Sequence, residues 1–136
     1  MTGCGCIYVG EGDDEYDYDW NDRDAIAGQT LKCCECHRDI PLNSTFWRVE
    51  VNVFEWDEDG DESTYIRTDV YNVCPDCRSV ASEFFCDAIP FERFWHYVKE
   101  HVDYVGGEIS SDCLLRLTPR ARGRVIDLID KAWGLA

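Results

Sequence analysis

Apolar and polar positions alternate from Thr45 to Trp56, with Trp47, Val49, Val51 and Val53 on one face and Arg48, Glu50 and Asn52 on the other. A period of two is the signature of a half-buried strand. Asp57-Glu58-Asp59-Gly60-Asp61-Glu62 breaks the run, and Asp59-Gly60 within it is a turn signal. Alternation resumes from about Thr64 to Val73, with Ile66, Thr68 and Val70 opposing Tyr65, Arg67 and Tyr71. The two runs predict a β-hairpin with an acidic tip. Asp57, Asp59 and Asp61 are spaced like the first ligands of a calcium loop, but that loop would need Gly and Glu where the chain has Glu62 and Thr68. The tip therefore reads as a charged turn.

Downstream the period becomes helical. Pro75-Asp76 open a segment running to about Cys86, in which Cys77, Val80, Ala81 and Phe84 recur at helical spacing. Pro90 starts a second helix, with Phe91, Phe94, Trp95, Val98, Val102 and Val105 as its stripe and Gly106-Gly107 as its stop. Thr118-Pro119 is a cap followed by proline in the first turn, and Ala121, Val125, Leu128, Ile129 and Ala132 form the inward face of a third helix. Before the hairpin the signals are weaker. Cys4-Gly5-Cys6 enters a short extended segment, Ile7-Tyr8-Val9. From Glu11 to Asp24 acid alternates with aromatic, which reads as a solvated loop or as a docking segment; Ala25 to Lys32 follows as a candidate edge strand. The expectation is an α+β fold with a β-hairpin core followed by about three α-helices. It forms one domain over residues 1–136: an acidic N-terminal segment (1–32), a cysteine-bracketed module around the hairpin (33–86) and a helical part (87–136).

The hairpin is bracketed by chemistry. Cys33-Cys34-Glu35-Cys36-His37 precedes it and Cys74-Pro75-Asp76-Cys77 follows it. A hairpin brings its own ends together, so the two C-x-x-C pairs meet, and Cys33, Cys36, Cys74 and Cys77 are expected to hold Zn2+ tetrahedrally. Cys77 lies at a helix N-terminus, where the dipole favours thiolate. Knuckle, hairpin and a helix bearing the last two ligands make a treble-clef or zinc-ribbon arrangement. The chain has nine cysteines. Of the others, Cys4, Cys6, Cys86 and Cys113 can form a second Zn2+ site, with single buried thiols as the alternative; Cys34 is left over, and His37 is an alternative ligand at the first site.

Charge narrows the partners. Acids outnumber bases 28 to 13, for a net charge of −15. Phosphate recognition needs clustered Lys and Arg, so nucleic-acid binding is disfavoured and a basic protein surface is the natural complement. Asp13, Asp14, Glu15, Tyr16, Asp17, Tyr18, Asp19 and Trp20 are the candidate contact surface, with carboxylates for charge and aromatics for area. The last 22 residues run the other way: Arg116, Arg120, Arg122, Arg124 and Lys131 against Asp127 and Asp130 leave a net +3. That helix is expected to pair internally or between subunits of a homo-oligomer, or else to contact nucleic acid. The three histidines, His37, His96 and His101, form no zincin, deaminase or nuclease pattern, and four sulfurs leave no open metal position, so no enzyme is expected. There is neither a signal-peptide pattern at the N-terminus nor an apolar run long enough to span a membrane, which suits a reducing, cytoplasmic compartment.

Several segments together resemble a family. Cys4-Gly5-Cys6, the run Lys32 to Pro41 with its cysteine knuckle, Cys74-Pro75-Asp76-Cys77, Phe84-Phe85-Cys86, Ser111-Asp112-Cys113-Leu114, Leu117 to Arg122 and Ala132-Trp133 are similar to small cysteine-rich, zinc-ribbon-like accessory proteins of bacteriophages and prophages. The chain departs from their Gly-Glu turn after Ile-Pro, having Asn43-Ser44. The resemblance covers nearly the whole chain and implies a phage accessory protein in the bacterial host cytoplasm, without catalytic residues. By analogy with small acidic phage proteins, it also implies an inhibitor of antiviral defence that occupies a nucleic-acid site on a host protein. The second expectation is a zinc-finger nucleic-acid-binding regulator that uses the basic C-terminal helix.

Overall fold

The computed structural model describes Ile7, residues 16–85 and residues 88–134. Its elements in order are β1 (Tyr16–Ile26), β2 (Leu31–Lys32), β3 (Asp39–Ile40), β4 (Thr45–Trp56), β5 (Ser63–Val73), α1 (Pro75–Phe84), α2 (Phe94–Tyr104), α3 (Ser111–Arg116) and α4 (Pro119–Ala132). The fold is α+β. A three-stranded antiparallel sheet has the order β1-β4-β5, and β2 and β3 make a separate two-stranded ladder.

The hairpin forms where the alternation predicts it. β4 pairs with β5 from Trp47 opposite Val73 to Trp56 opposite Ser63. Trp47, Val49 and Val53 are buried, as the period-two pattern requires. One irregularity falls between Val53 and Phe54: Arg67 faces Val53 and Tyr65 faces Phe54, leaving Ile66 as an extra residue. At the tip, Asp57 Oδ1 accepts the Asp61 N–H at 2.9 Å, and Gly60 takes the left-handed position at φ 72°. The acidic tip is thus a self-bonded turn.

The acidic-aromatic stretch is a strand rather than a loop. β1 pairs along its length with β4, from Tyr16 opposite Glu55 to Ile26 opposite Thr45. Its residues from Asp17 to Asp24 are exposed, so the ladder holds it in place with little help from burial. The aromatics follow the pleat: Tyr18 and Trp20 stand opposite Val53 and Val51, on the inward face of β4.

Helices close that face. Val49, Val73, Val80, Phe84, Phe94, Val98, Val102 and Val125 are among the fully enclosed side chains. Phe91 joins sheet to helices, stacking on Tyr71 with centroids 4.6 Å apart and lying against Trp47 at 5.7 Å and Trp20 at 6.2 Å. This explains why α2 begins at Phe94 and not at Pro90. Glu92 is left-handed (φ 73°) and the Arg93 N–H bonds the Pro90 carbonyl at 2.9 Å, a turn that puts Phe91 under the sheet. α3 is an element the sequence pattern does not predict; the Ser110 hydroxyl before it accepts the Cys113 N–H at 3.3 Å, so Cys113 lies in a short helix. α4 starts as expected, with Thr118 Oγ1 accepting from Ala121 N–H at 3.4 Å. α1 stops at Phe84, whose carbonyl takes the Ile7 N–H at 2.9 Å. Among the described residues no helix is long and apolar enough to cross a membrane.

Candidate metal centre

Two short elements aim four sulfurs at one point. The β2–β3 ladder (Leu31 opposite Ile40, Lys32 opposite Asp39) supports the knuckle. The Cys33 N–H bonds the Arg38 carbonyl at 2.9 Å and the His37 N–H returns to the Cys33 carbonyl at 3.0 Å. His37 is left-handed at φ 62° and exposed, so it closes the knuckle's turn and is not one of the clustered ligands. The Cys34 N–H bonds the Asn72 carbonyl at 2.9 Å, fastening the knuckle beside the end of β5. There Cys74 occupies the residue before α1 without a side-chain cap bond, and Cys77 sits in the helix's first turn.

The Sγ atoms of Cys33, Cys36, Cys74 and Cys77 all lie within 4.8 Å of one another, and Cys36 and Cys74 are 3.7 Å apart. A tetrahedron with metal–sulfur bonds of ~2.3 Å has edges of about 3.8 Å, so the cluster is sized for one ion. Tetrahedral sulfur coordination suits zinc or iron. Three donors stabilise negative sulfur: the N–H groups of Glu35 and Cys74 point at Cys33 Sγ, and Trp95 Nε1–H at Cys77 Sγ, each at 3.4 Å. Donation from the Cys74 and Cys77 side chains holds the Cys33 thiol far below its usual range against the effect of burial. Reciprocally, sharing that anion pushes Cys74 up to about 12 and Cys77 further still. A cation bound here would displace the protons that Cys74 and Cys77 keep beside the Cys33 anion.

The surroundings balance a thiolate cluster electrically. Arg38, Arg120 and Arg124 line a small cavity of about 40 Å³ with Asp76, Trp95, Cys36 and Cys77. The Arg124 guanidinium lies over the Trp95 ring at 4.1 Å. Among the described residues none of these three arginines has a carboxylate at ion-pair distance. A divalent ion with four thiolates carries a charge of about −2, and three guanidiniums less the Asp76 carboxylate offset it.

Sequence reasoning missed Glu35. It lies between two ligands and is 7% exposed, buried as no other charged residue is among those described. Oε1 accepts the Phe94 N–H at 2.9 Å, while Oε2 accepts the Glu92 N–H and the Cys34 thiol, the latter at 3.1 Å. Burial raises its pKa above the usual carboxylate range, and the two backbone donors counteract part of that. Arg93, the residue before α2, supplies no side-chain cap, so the knuckle glutamate caps α2 from 59 positions away. No local pattern could have revealed it.

The other candidates divide. Cys113 is buried in α3, with Arg116 Nη2 3.6 Å from its sulfur. Cys4, Cys6 and Cys86 lie outside the described residues, as do Asp13, Asp14 and Glu15. Tyr16, Asp17, Tyr18, Asp19 and Trp20 form the start of β1, with Tyr18 51% and Trp20 44% exposed. Farther along β1, Asp22 accepts from Trp47 Nε1 at 2.8 Å and Asp24 pairs with Arg78. Asp17 and Asp19 make no ion pair among the described residues. Of the remaining histidines, His96 faces Glu100 at 3.3 Å and His101 meets the Phe84 ring edge-on at 6.1 Å. Comparison with family models, with curated proteins and with solved structures returned no match.

Proposed function

We propose that the chain is a zinc-stabilised, strongly acidic protein that binds a basic host protein by its β1 edge. It inhibits that protein by occupying a nucleic-acid site, as a phage-type inhibitor of antiviral defence. The observation that carries this reading is β1 itself: among the described residues it is an edge strand, with Asp17 and Asp19 in no ion pair and Tyr18 and Trp20 exposed, on a chain of net charge −15. Exposed carboxylates steer towards a basic groove, and an unpaired strand edge adds main-chain hydrogen bonds once there. Zinc suits a site with four sulfurs and no open position, which makes the ion structural. Cys4, Cys6, Cys86 and Cys113 are proposed as a second zinc set.

The rival reading, a nucleic-acid regulator working through α4, has less support. Arg120 and Arg124 line the cavity beside the sulfurs. Arg122 donates to the Leu114 and Leu117 carbonyls at 2.9 and 3.1 Å, and Arg116 pairs with Glu83 at 2.9 Å.

The test is retention of nuclease-treated bacterial lysate on the immobilised protein, with Asp17→Asn/Asp19→Asn as the comparison. Retained proteins should be nucleic-acid binders, released by added DNA or RNA and lost with the double variant. Retention that ignores both the competitor and the substitutions defeats the proposal.

A further inference from the structure

Folding gathers three arginines that the sequence scatters. Arg38 follows the left-handed His37 of the knuckle, and Arg120 and Arg124 stand one helical turn apart on α4. With Asp76 and Trp95 they line the cavity of about 40 Å³ beside Cys36 and Cys77. Acids outnumber bases 28 to 13 in the chain, and Arg48, Arg67, Arg78 and Arg116 each meet a carboxylate. The three arginines at the cavity do not, and among the described residues their guanidiniums donate no hydrogen bond. The lining carboxylate is engaged elsewhere: Asp76 Oδ1 accepts the Thr118 hydroxyl at 2.6 Å.

The donors select their ligand. Each guanidinium presents five N–H groups in a planar fork that matches carboxylate and phosphate oxygens. A carboxylate has two oxygens, enough for one or two forks. A phosphomonoester has three free oxygens and a charge near −2, so it can accept from three guanidiniums at once. The cavity has room for about three waters at ~10–15 Å³ each, the scale of one phosphate group and not of a nucleoside. Two features position the donors in advance. Trp95 carries the Arg124 guanidinium at 4.1 Å from its ring centroid, while its own Nε1–H donates to Cys77 Sγ at 3.4 Å. Arg120 lies in the first turn of α4, where the helix dipole adds partial positive charge.

We propose that this cavity is a binding site for a phosphate dianion, either free phosphate or a phosphomonoester whose organic part stays outside the mouth. The sulfurs limit the affinity without abolishing the site. With a divalent ion bound, their charge of about −2 and that of Asp76 cancel the three guanidiniums in sum, so attraction rests on short, charge-assisted hydrogen bonds. The chain's net charge of −15 acts weakly here, because ~0.1 M salt screens exposed charges beyond about 10 Å. A phosphodiester carries one negative charge and two free oxygens, so it suits three guanidiniums less well than a monoester does. The site is independent of β1 and of any partner bound there.

Calorimetric titration of the zinc-loaded chain with sodium phosphate, phenyl phosphate and dimethyl phosphate tests this. Phosphate should saturate a single site per chain in the millimolar range. Phenyl phosphate binding equally well marks a monoester site; its exclusion marks a site for free phosphate. Arg38→Lys and Arg120→Lys keep the charge beside the sulfurs but lose the fork, and each should weaken phosphate binding about tenfold. Elemental analysis of the same samples should show unchanged zinc. A second measurement needs no variant: in the wild type, phosphate should shield Arg38, Arg120 and Arg124 from phenylglyoxal, but not the exposed Arg23 and Arg93. Mass spectrometry reads the modification residue by residue. No saturable phosphate binding, equal binding of dimethyl phosphate, indifference to both substitutions, or shielding that does not separate the three arginines from Arg23 and Arg93 would each overturn the proposal.

Discussion

Glu35, inside the metal knuckle, accepts the backbone N–H of Phe94 at the start of α2 at 2.9 Å. The metal module and the helical half are thus joined through one buried carboxylate as well as through apolar packing. Glu35→Ala should lower the unfolding free energy by about 3 kcal/mol, since the N–H groups of Phe94 and Glu92 lose a buried acceptor at ~1–3 kcal/mol each. Denaturant titration measures it. A loss below about 1 kcal/mol would mean that water replaces the carboxylate, contrary to the burial.

Chelation should unfold the knuckle and the start of α1 together, because the same four sulfurs hold both. Trp95, which donates to Cys77, is a natural fluorescence reporter. Cys77→Ser should abolish tight metal binding, whereas Cys34→Ser should leave the metal content of the first cluster unchanged, since Cys34 is outside it. Elemental analysis decides between them. One zinc per chain matches the described cluster, and a second would fall to Cys4, Cys6, Cys86 and Cys113.

Arg120 and Arg124 line the cavity beside Cys36 and Cys77, so their charge should favour the loaded centre. Arg120→Gln/Arg124→Gln is expected to weaken metal retention by roughly 10–100-fold in a competition with a chromophoric chelator, the usual range for residues that surround metal ligands. Unchanged affinity would show that water, not guanidinium, balances the thiolates.

Gly107 is left-handed at φ 80°, and a Cβ there would run into the Trp133 indole. Gly107→Ala should cost about 2 kcal/mol from backbone strain and displacement of the ring that anchors the end of α4. Thermal unfolding reads the loss. Trp133→Ala in the same chain should recover part of it, because the clash is then removed; strictly additive losses would refute the contact.

Local periodicity determined a large part of this protein. The alternation around Val49, Val51 and Val53 specified β4, the cysteine spacing specified the ligand cluster, and Thr118-Pro119 marked the start of α4, because each signal is written within a few residues of where it acts. Only the tertiary structure decided the rest. β1 has no buried face of its own and exists because β4 offers it a ladder. α2 starts late because Glu92 turns left-handed to seat Phe91 on Tyr71. Glu35 became a cap, and Arg38 met Arg120 and Arg124 beside the sulfurs, through contacts between segments far apart in the chain. Side-chain periods report which face of an element is buried, but a carboxylate's partner or an edge strand's ladder depends on what folding brings alongside.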